Sequence, residues 1–292
     1  MLSVEPDLFD WARREAEDAP PRARPCKICG AASAPFDVVD FNKSCDARLY
    51  PSGLCGVPVV YHRCPSCAFI FTGFFDGFTS DQWARHVYNA DYVKVDPEYV
   101  DARPRTNARE LQSFLPRKEG VLGLDFGGGN GLTAALMRDA GRAFQSLDPF
   151  GYSDVSPQNA GHFNFCSAME VFEHTPDPVA ALKSILGMCT GERLIVFIGT
   201  AVHDGVVTDA TRLAWWYAAP RNGHISLFSR AALARLGADF GLDYASITRG
   251  THLLTRGVSR WTARAMLLRG KVLVQAGRLQ VSPQRTGQNM RW

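Results

Sequence analysis

Residues 121–141 read VLGLDFGGGNGLTAALMRDAG. Val121 to Phe126 is a short apolar run of the kind a buried parallel strand requires. Gly127, Gly128, Gly129 and Gly131 follow, interrupted only by Asn130. Leu132, Ala135, Leu136 and Ala140 then recur at helical spacing, and Gly141 stands where a C-cap glycine belongs. The stretch is strand, glycine turn, helix. Glycines let a ligand approach the backbone closely, and the helix start offers it free N–H groups. A second strand, Ala143 to Leu147, ends at Asp148, 21 residues after Gly127. An acid at that distance is placed to accept hydrogen bonds from ribose hydroxyls.

The loop departs from the dinucleotide pattern G-x-G-x-x-G, because the sixth position from Gly127 is Leu132. Asp125, just before the glycines, would repel a pyrophosphate but suits a ligand carrying an ammonium group. The alternative is a plain strand–helix turn. Further on, FNFCSAMEVFEH (163–174) is a strand running into a polar end, followed by Thr-Pro-Asp-Pro. Asp177 is placed to cap a helix with Pro178 at its first position, and Val179, Leu182 and Leu186 give that helix a buried face. Leu194 to Ile198 is a further strand. Glu170, Glu173 and His174 fall at the carboxyl end of their strand, where open α/β sheets bind ligands. Glu170 is a candidate cofactor contact. His174 either touches a ligand or locks its turn through a backbone hydrogen bond.

Four of the eight cysteines form two C-x2-C pairs, Cys26/Cys29 and Cys64/Cys67, with 34 residues between the pairs. In a reducing compartment such pairs read as a four-thiolate zinc site, since each tight turn aims two sulfurs at one ion. Four thiolates fill a tetrahedron, so the zinc would be structural. Reduced surface thiols or a redox pair are the alternatives, and Cys45, Cys55 or His62 are the substitute ligands. Cys166 and Cys189 sit in apolar company and read as core.

Taken in order, LDFGGGNG, SLDPF, AMEVFEH-TPDP and NGHISLFS resemble a class I S-adenosylmethionine-dependent methyltransferase over roughly residues 100–245. With its cysteine pairs upstream, the chain also resembles bacterial methyltransferases with an N-terminal zinc-binding segment, including sugar C-methyltransferases. The resemblance implies a Rossmann-like, doubly wound seven-stranded α/β sheet with a reversed last strand, preceded by a zinc-binding subdomain. It implies that Asp125, Gly127, Gly129 and Asp148 hold S-adenosylmethionine. It also implies that His224, in HISLFS, is the general base toward a small oxygenated metabolite such as a sugar or nucleotide-sugar. Two departures stand out. Only 14 residues, PFGYSDVSPQNAGH, separate Asp148 from Phe163, too few for the family's next helix and strand. Asp154, Phe150 or backbone groups are then left to recognise adenine. And Arg221-Asn222-Gly223 precede His224 where the family has Tyr-x-Glu.

The aromatic run from Phe69 to Tyr99 reads mainly as core, with Tyr92 the candidate roof over the cofactor; Trp215, Trp216 and Tyr217 read as packing or as a cleft wall. With 46% apolar and 21% charged residues the composition is globular, and no window approaches 18 uninterrupted apolar residues. Six acids and two arginines in the first twenty residues do not make a secretory signal, so a cytoplasmic location is expected. The net charge is +3, yet nine Lys/Arg and no acid lie beyond Asp243, leaving residues 1–243 at about −6. That balance argues against stable nucleic-acid binding by the body. An RNA- or protein-binding module on a degenerate fold is the rival reading. The expected organisation is an extension (1–24), a zinc-binding, aromatic-rich segment (25–100), the cofactor domain (101–250) and a basic tail (251–292). Within that tail, 258–279 reads as an amphipathic helix docked on its own domain or meeting a membrane or acidic partner, and 281–292 as disordered.

Overall fold

A computed structural model describes residues 5–18, 22–46, 53–115, 120–155 and 161–280. The segment 281–292, expected to be disordered, lies outside the described residues. The N-terminal unit opens with α1 (Pro6–Asp18), which buries Leu8 and donates from the Trp11 indole to the Phe74 carbonyl at 2.8 Å. The extension expected over 1–24 thus contains a docked helix at residues 6–18. Strands β1 (Arg24–Pro25), β2 (Ala32–Asp40), β3 (Pro58–Arg63) and β4 (Ile70–Thr72) pair antiparallel in sequence. Helix α2 (Ser80–His86) starts in a capping box, with Thr79 and Gln82 satisfying each other's backbone N–H groups. The one-turn α3 (Tyr92–Val95) leads to α4 (Ala102–Phe114).

The second unit follows the strand–helix reading closely. Strand β5 (Leu122–Phe126), α5 (Leu132–Asp139) and β6 (Ala143–Leu147) form the glycine-loop unit. Gly141 (φ +74°) ends α5 in a Schellman motif, with Arg142 N donating to Met137 O at 3.0 Å and Gly141 N to Arg138 O at 2.8 Å. Strand β7 (Phe165–Met169), α6 (Pro178–Met188) and β8 (Leu194–Gly199) follow, and the Asp177 side chain caps α6 by accepting from Ala180 N. Then come β9 (Ser226–Leu227), α7 (Arg230–Ala238), β10 (Asp243–Ser246), β11 (Thr251–Arg256) and α8 (Arg260–Gln280).

The main sheet has six strands in the order β10-β11-β8-β7-β5-β6, parallel except where β11 runs antiparallel to both neighbours. The reversed last strand is therefore present, whereas a seventh strand is absent among the described residues. The short connection after Asp148 is the reason. In place of a strand, Asp154 binds the open edge of β6: its carboxylate accepts from Ser146 N at 2.6 Å and its own N–H donates to Ser146 O at 3.0 Å. Asp154 also pairs with Arg138 at 2.9 Å, so it closes the sheet edge and is not free to read adenine. The boundary expected at residue 250 cuts ahead of β11, which lies inside the sheet.

Each face of the sheet has its own core. Leu124, Cys166, Val196 and Ile198 pack with Leu182 and Ile185 of α6 and Leu233 and Leu236 of α7. Phe165, Phe197 and Leu253 pack with Phe114 of α4, Met137 of α5 and Leu267 of α8. Cys166 is wholly buried, and Cys189, at the C-cap of α6, is partly so. Strand β9 leaves this domain to pair antiparallel with β4, making the N-terminal sheet five-stranded in the order β1-β2-β3-β4-β9. This pairing sets His224, two residues before β9, at the junction of the two units.

Candidate functional site

The two C-x2-C pairs come together through matching turns. Gly30 N donates to Cys26 O at 2.9 Å and Ala68 N donates to Cys64 O at 3.0 Å; Gly30 (φ +73°) and Ala68 (φ +57°) occupy equivalent left-handed positions. The sulfurs lie 3.7 Å apart for Cys26–Cys67, 3.5 Å for Cys29–Cys64 and 3.8 Å for Cys29–Cys67. A disulfide needs a separation of about 2.05 Å. Four thiolates at about 2.3 Å from one zinc lie about 3.8 Å from each other, so the cluster has the dimensions of a tetrahedral zinc centre. The substitute ligands are engaged elsewhere. His62 bonds to the Arg22 carbonyl at 3.1 Å, Cys55 donates to Asp40 at 3.3 Å, and Cys45 lies 3.6 Å from His224 Nδ1.

At the glycine loop, Gly129 N donates to Asp148 Oδ2 at 2.8 Å, and Asp148 Oδ1 accepts from Phe150 N at 2.8 Å. Each carboxylate oxygen retains a second lone pair. Gly128 has to be glycine, since a Cβ there would stand 2.4 Å from Ser146 Oγ and 2.7 Å from an Asp125 oxygen. Asp125 itself is buried beneath the loop and accepts from Ser167 Oγ at 2.8 Å. Burial pushes its carboxyl up to about 7, against the Ser167 hydrogen bond. It supports the loop from below, where the sequence reading had it facing the ligand. Gly127 faces Val171, and Gly131 faces the Tyr152 ring. Over Gly129 the nearest atoms are those of Tyr99, at 3.8 and 3.9 Å from where a Cβ would stand. Tyr99, not the buried Tyr92, roofs the loop.

From Tyr99 a row of rings leads inward. Tyr99–Tyr92 centroids are 5.4 Å apart, Tyr92–Tyr88 5.1 Å, Tyr88–His174 6.3 Å and His174–His224 4.8 Å. The row ends where Glu173, His174 and His224 bring ligand-forming atoms within 4.8 Å of one another. His224 is buried, and its Nδ1–H donates to the Tyr217 carbonyl at 2.9 Å, which leaves the Nε2 lone pair as its basic site. Tyr217 donates its hydroxyl to Glu173, and the Tyr88 hydroxyl is 3.2 Å from His174 Nδ1. The ordering extends to the backbone: Ile225 N donates to Glu173 O at 2.8 Å, and the Tyr61 hydroxyl to His224 O at 2.7 Å. Gly223 (φ +86°) makes the close approach possible, since a Cβ would stand 3.0 Å from His174 Nδ1 and 3.2 Å from the Tyr88 hydroxyl.

Burial dominates the electrostatics here. It pushes the His174 imidazole down to about 3, helped by the Arg103 charge, and His224 well below its ordinary value, helped by His174. Both rings are neutral at pH 7. Burial pushes the Glu170 and Glu173 carboxyls up; the Glu173 charge adds to the rise at Glu170 and Arg103 opposes it, while at Glu173 the hydrogen bond from the Tyr217 hydroxyl opposes it. Glu170 holds a left-handed φ of +55° at the end of β7, a strained conformation of the sort that clusters at ligand sites. Arg103 is itself fixed by Asp96, at 2.9 Å in one arm of a two-pronged pair.

Sequence reasoning singled out Asp148, Gly129, Glu170 and His224 as candidates, but not Tyr88, Tyr99 or Arg103, which the fold brings beside them. Their only signal was membership of an aromatic run or of an arginine-containing helix. Trp215 and Tyr217 are buried packing rather than cleft surface, although Tyr217 carries two of the site's hydrogen bonds.

A family model described as a methyltransferase domain matches residues 99–247. No curated protein matches the chain. Similar solved structures include the mitomycin 7-O-methyltransferase MmcR, 14% identical, covering 62% of this chain and 62% of that one, with a TM-score of 0.45. They also include the plantazolicin methyltransferase BpumL in complex with SAH, 16% identical over 67% of this chain and 87% of that one, TM-score 0.45. A third is a SAM-dependent methyltransferase of Thermotoga maritima, described as a possible histamine N-methyltransferase, 14% identical over 60% of this chain and 98% of that one, TM-score 0.38.

Proposed function

The chain belongs to the methyltransferase-domain family, and from that premise we propose that it moves the methyl group of S-adenosylmethionine to a small oxygenated metabolite, such as a sugar or nucleotide-sugar, with His224 as general base. The observation that carries this reading is the unbroken row of rings from Tyr99, over Gly129, to His224. It joins a loop fit for a nucleoside to a neutral, buried base.

The residues present fit the cofactor. Asp148 keeps lone pairs for two ribose hydroxyls, and the opening over Gly129 is bounded by a ring. The exposed Phe150, beside Asp148, is placed to stack on adenine. Bound S-adenosylmethionine supplies a methyl on a sulfonium centre, which leaves as a neutral thioether and needs no acid from the protein. The chain's task is to align the acceptor and take its proton. His224 Nε2 accepts the hydroxyl proton as the oxygen attacks. The Tyr217 carbonyl holds the ring in that tautomer, and the Glu173 carboxylate faces the imidazolium that results. Glu173 thereby supplies the acid that the residues just before His224 lack. Tyr88 and His174 offer hydrogen bonds to neighbouring acceptor hydroxyls, as an oxygen-rich substrate requires. The zinc centre, with all four positions taken by Cys26, Cys29, Cys64 and Cys67, is structural; it anchors the sheet onto which β9 is stitched.

Calorimetry with S-adenosylhomocysteine tests the reading. The wild-type chain should bind, and Asp148→Ala should weaken binding by at least about tenfold, as the loss of two charge-assisted hydrogen bonds implies. Absence of binding heat in the folded wild-type protein refutes it.

A further inference from the structure

Helix α8 has two apolar faces, and only one of them is used. At 3.6 residues per turn, Ala263, Leu267, Gly270 and Val274 share one side. Ala263 and Leu267 are buried in the core with Phe114, and Gly270 lies against the Phe114 backbone. Trp261, Ala265, Leu268 and Val272 fall on the opposite side, within an arc of about 60°. This outer stripe is bare: Trp261 is 81% exposed, Val272 60% and Leu268 54%. Arg264 and Lys271 line one flank and Arg269 the other, all exposed. Among the described residues none of these three forms an ion pair; Arg260 alone reaches an acid, Asp243, at 3.6 Å.

We propose that this outer stripe of α8 docks the protein on the surface of an anionic lipid bilayer, with Trp261, Leu268 and Val272 inserted among the acyl chains and Arg264, Arg269 and Lys271 meeting lipid phosphates. An indole flanked by aliphatic and basic side chains is the pattern that settles at the boundary between headgroups and acyl chains. The helix lies on the bilayer and does not cross it, since no helix among the described residues is long and apolar enough to span a membrane. A second copy of the chain is a poor occupant. No acid lies beyond Asp243, so two such helices would bring like charges together.

Vesicle sedimentation of the full-length chain tests the proposal. Binding to vesicles containing one third phosphatidylglycerol should exceed binding to pure phosphatidylcholine by at least about tenfold, and should fall as salt rises. Leu268→Glu with Val272→Glu changes only exposed positions and should abolish sedimentation while leaving S-adenosylhomocysteine binding and the melting temperature unchanged. Absence of binding to either vesicle, or full binding by the double variant, overturns the proposal. So does a wild-type dimer that the double variant dissociates, which assigns the stripe to a second copy. Binding to soluble polyglutamate but not to vesicles also overturns it, in favour of an acidic protein.

Discussion

Tyr217 holds His224 at one end and Glu173 at the other: its carbonyl accepts from His224 Nδ1 at 2.9 Å, and its hydroxyl donates to the Glu173 carboxylate. The arrangement fixes the imidazole tautomer and sets the Glu173 carboxyl beside the ring, with parts drawn from two separate segments of the chain.

Removing the imidazole proposed as base should separate chemistry from binding. His224→Gln keeps much of the side-chain volume and is expected to lower kcat by about 100-fold or more, leaving S-adenosylhomocysteine affinity unchanged. Glu173→Gln should lower kcat less, because it removes only the facing charge. Burial pushes both histidines far below their ordinary range, so neither imidazole should give the pH–rate profile an acidic limb near 6.5. A limb at 6.5 that disappears in His224→Gln would contradict the buried setting of the ring.

Tyr99 is expected to act through its ring. Tyr99→Ala should weaken cofactor binding by about tenfold, in keeping with one lost aromatic contact, while Tyr99→Phe should retain it. Equal loss in both variants would assign the effect to the hydroxyl instead. Isothermal titration distinguishes the two.

Asp125 carries a pH signature of its own. Its folded carboxyl titrates at about 7, above the ordinary 3.8. Its contribution to stability is therefore full below 3.8 and is lost as pH rises through 7. Asp125→Asn, which still accepts from Ser167, should gain in melting temperature relative to wild type as pH goes from 4 to 8. The gain should approach a few kcal/mol, or roughly several degrees. A pH-independent difference would mean that the carboxyl is ionised at low pH in the fold.

Metal analysis should return about one zinc per chain, and Cys64→Ser or strong chelation should unfold the N-terminal sheet, because structural zinc binding is folding free energy. Since β9 pairs with that sheet, the same treatment should disturb the setting of His224. Circular dichroism followed during chelation, together with the kcat of what stays folded, checks both. A metal-free chain with an unchanged melting curve would refute the four-thiolate zinc proposal.

Gly223→Ala forces a side chain into a left-handed backbone, 3.0 Å from His174 Nδ1. The expected cost is about 1–3 kcal/mol, with a fall in kcat larger than the loss of folded protein accounts for. Chemical denaturation and single-turnover kinetics on the same sample separate the two effects.

The sequence by itself determined whatever is encoded within one or two adjacent elements. The glycine turn and its cap, the acid one strand on, the helix begun at Asp177 and the paired cysteine turns all depend on spacings of a few residues, and backbone sterics read those spacings directly. It also showed, through the short stretch after Asp148, that the usual next strand had no room, though not that Asp154 would close the edge instead. What surrounds His224 was decided only by tertiary structure. Glu173 follows β7, Tyr217 precedes His224 in an irregular segment, Tyr88 comes from the N-terminal unit, and β9 crosses to the N-terminal sheet. Apart from Tyr217, seven residues before it, these side chains lie far from His224 in the sequence, and packing between distant elements sets their distances. The same holds for α8: its two apolar faces are legible in the residue order, but which of them meets α4 and which is left facing solvent depends on the shape of the surface it packs against.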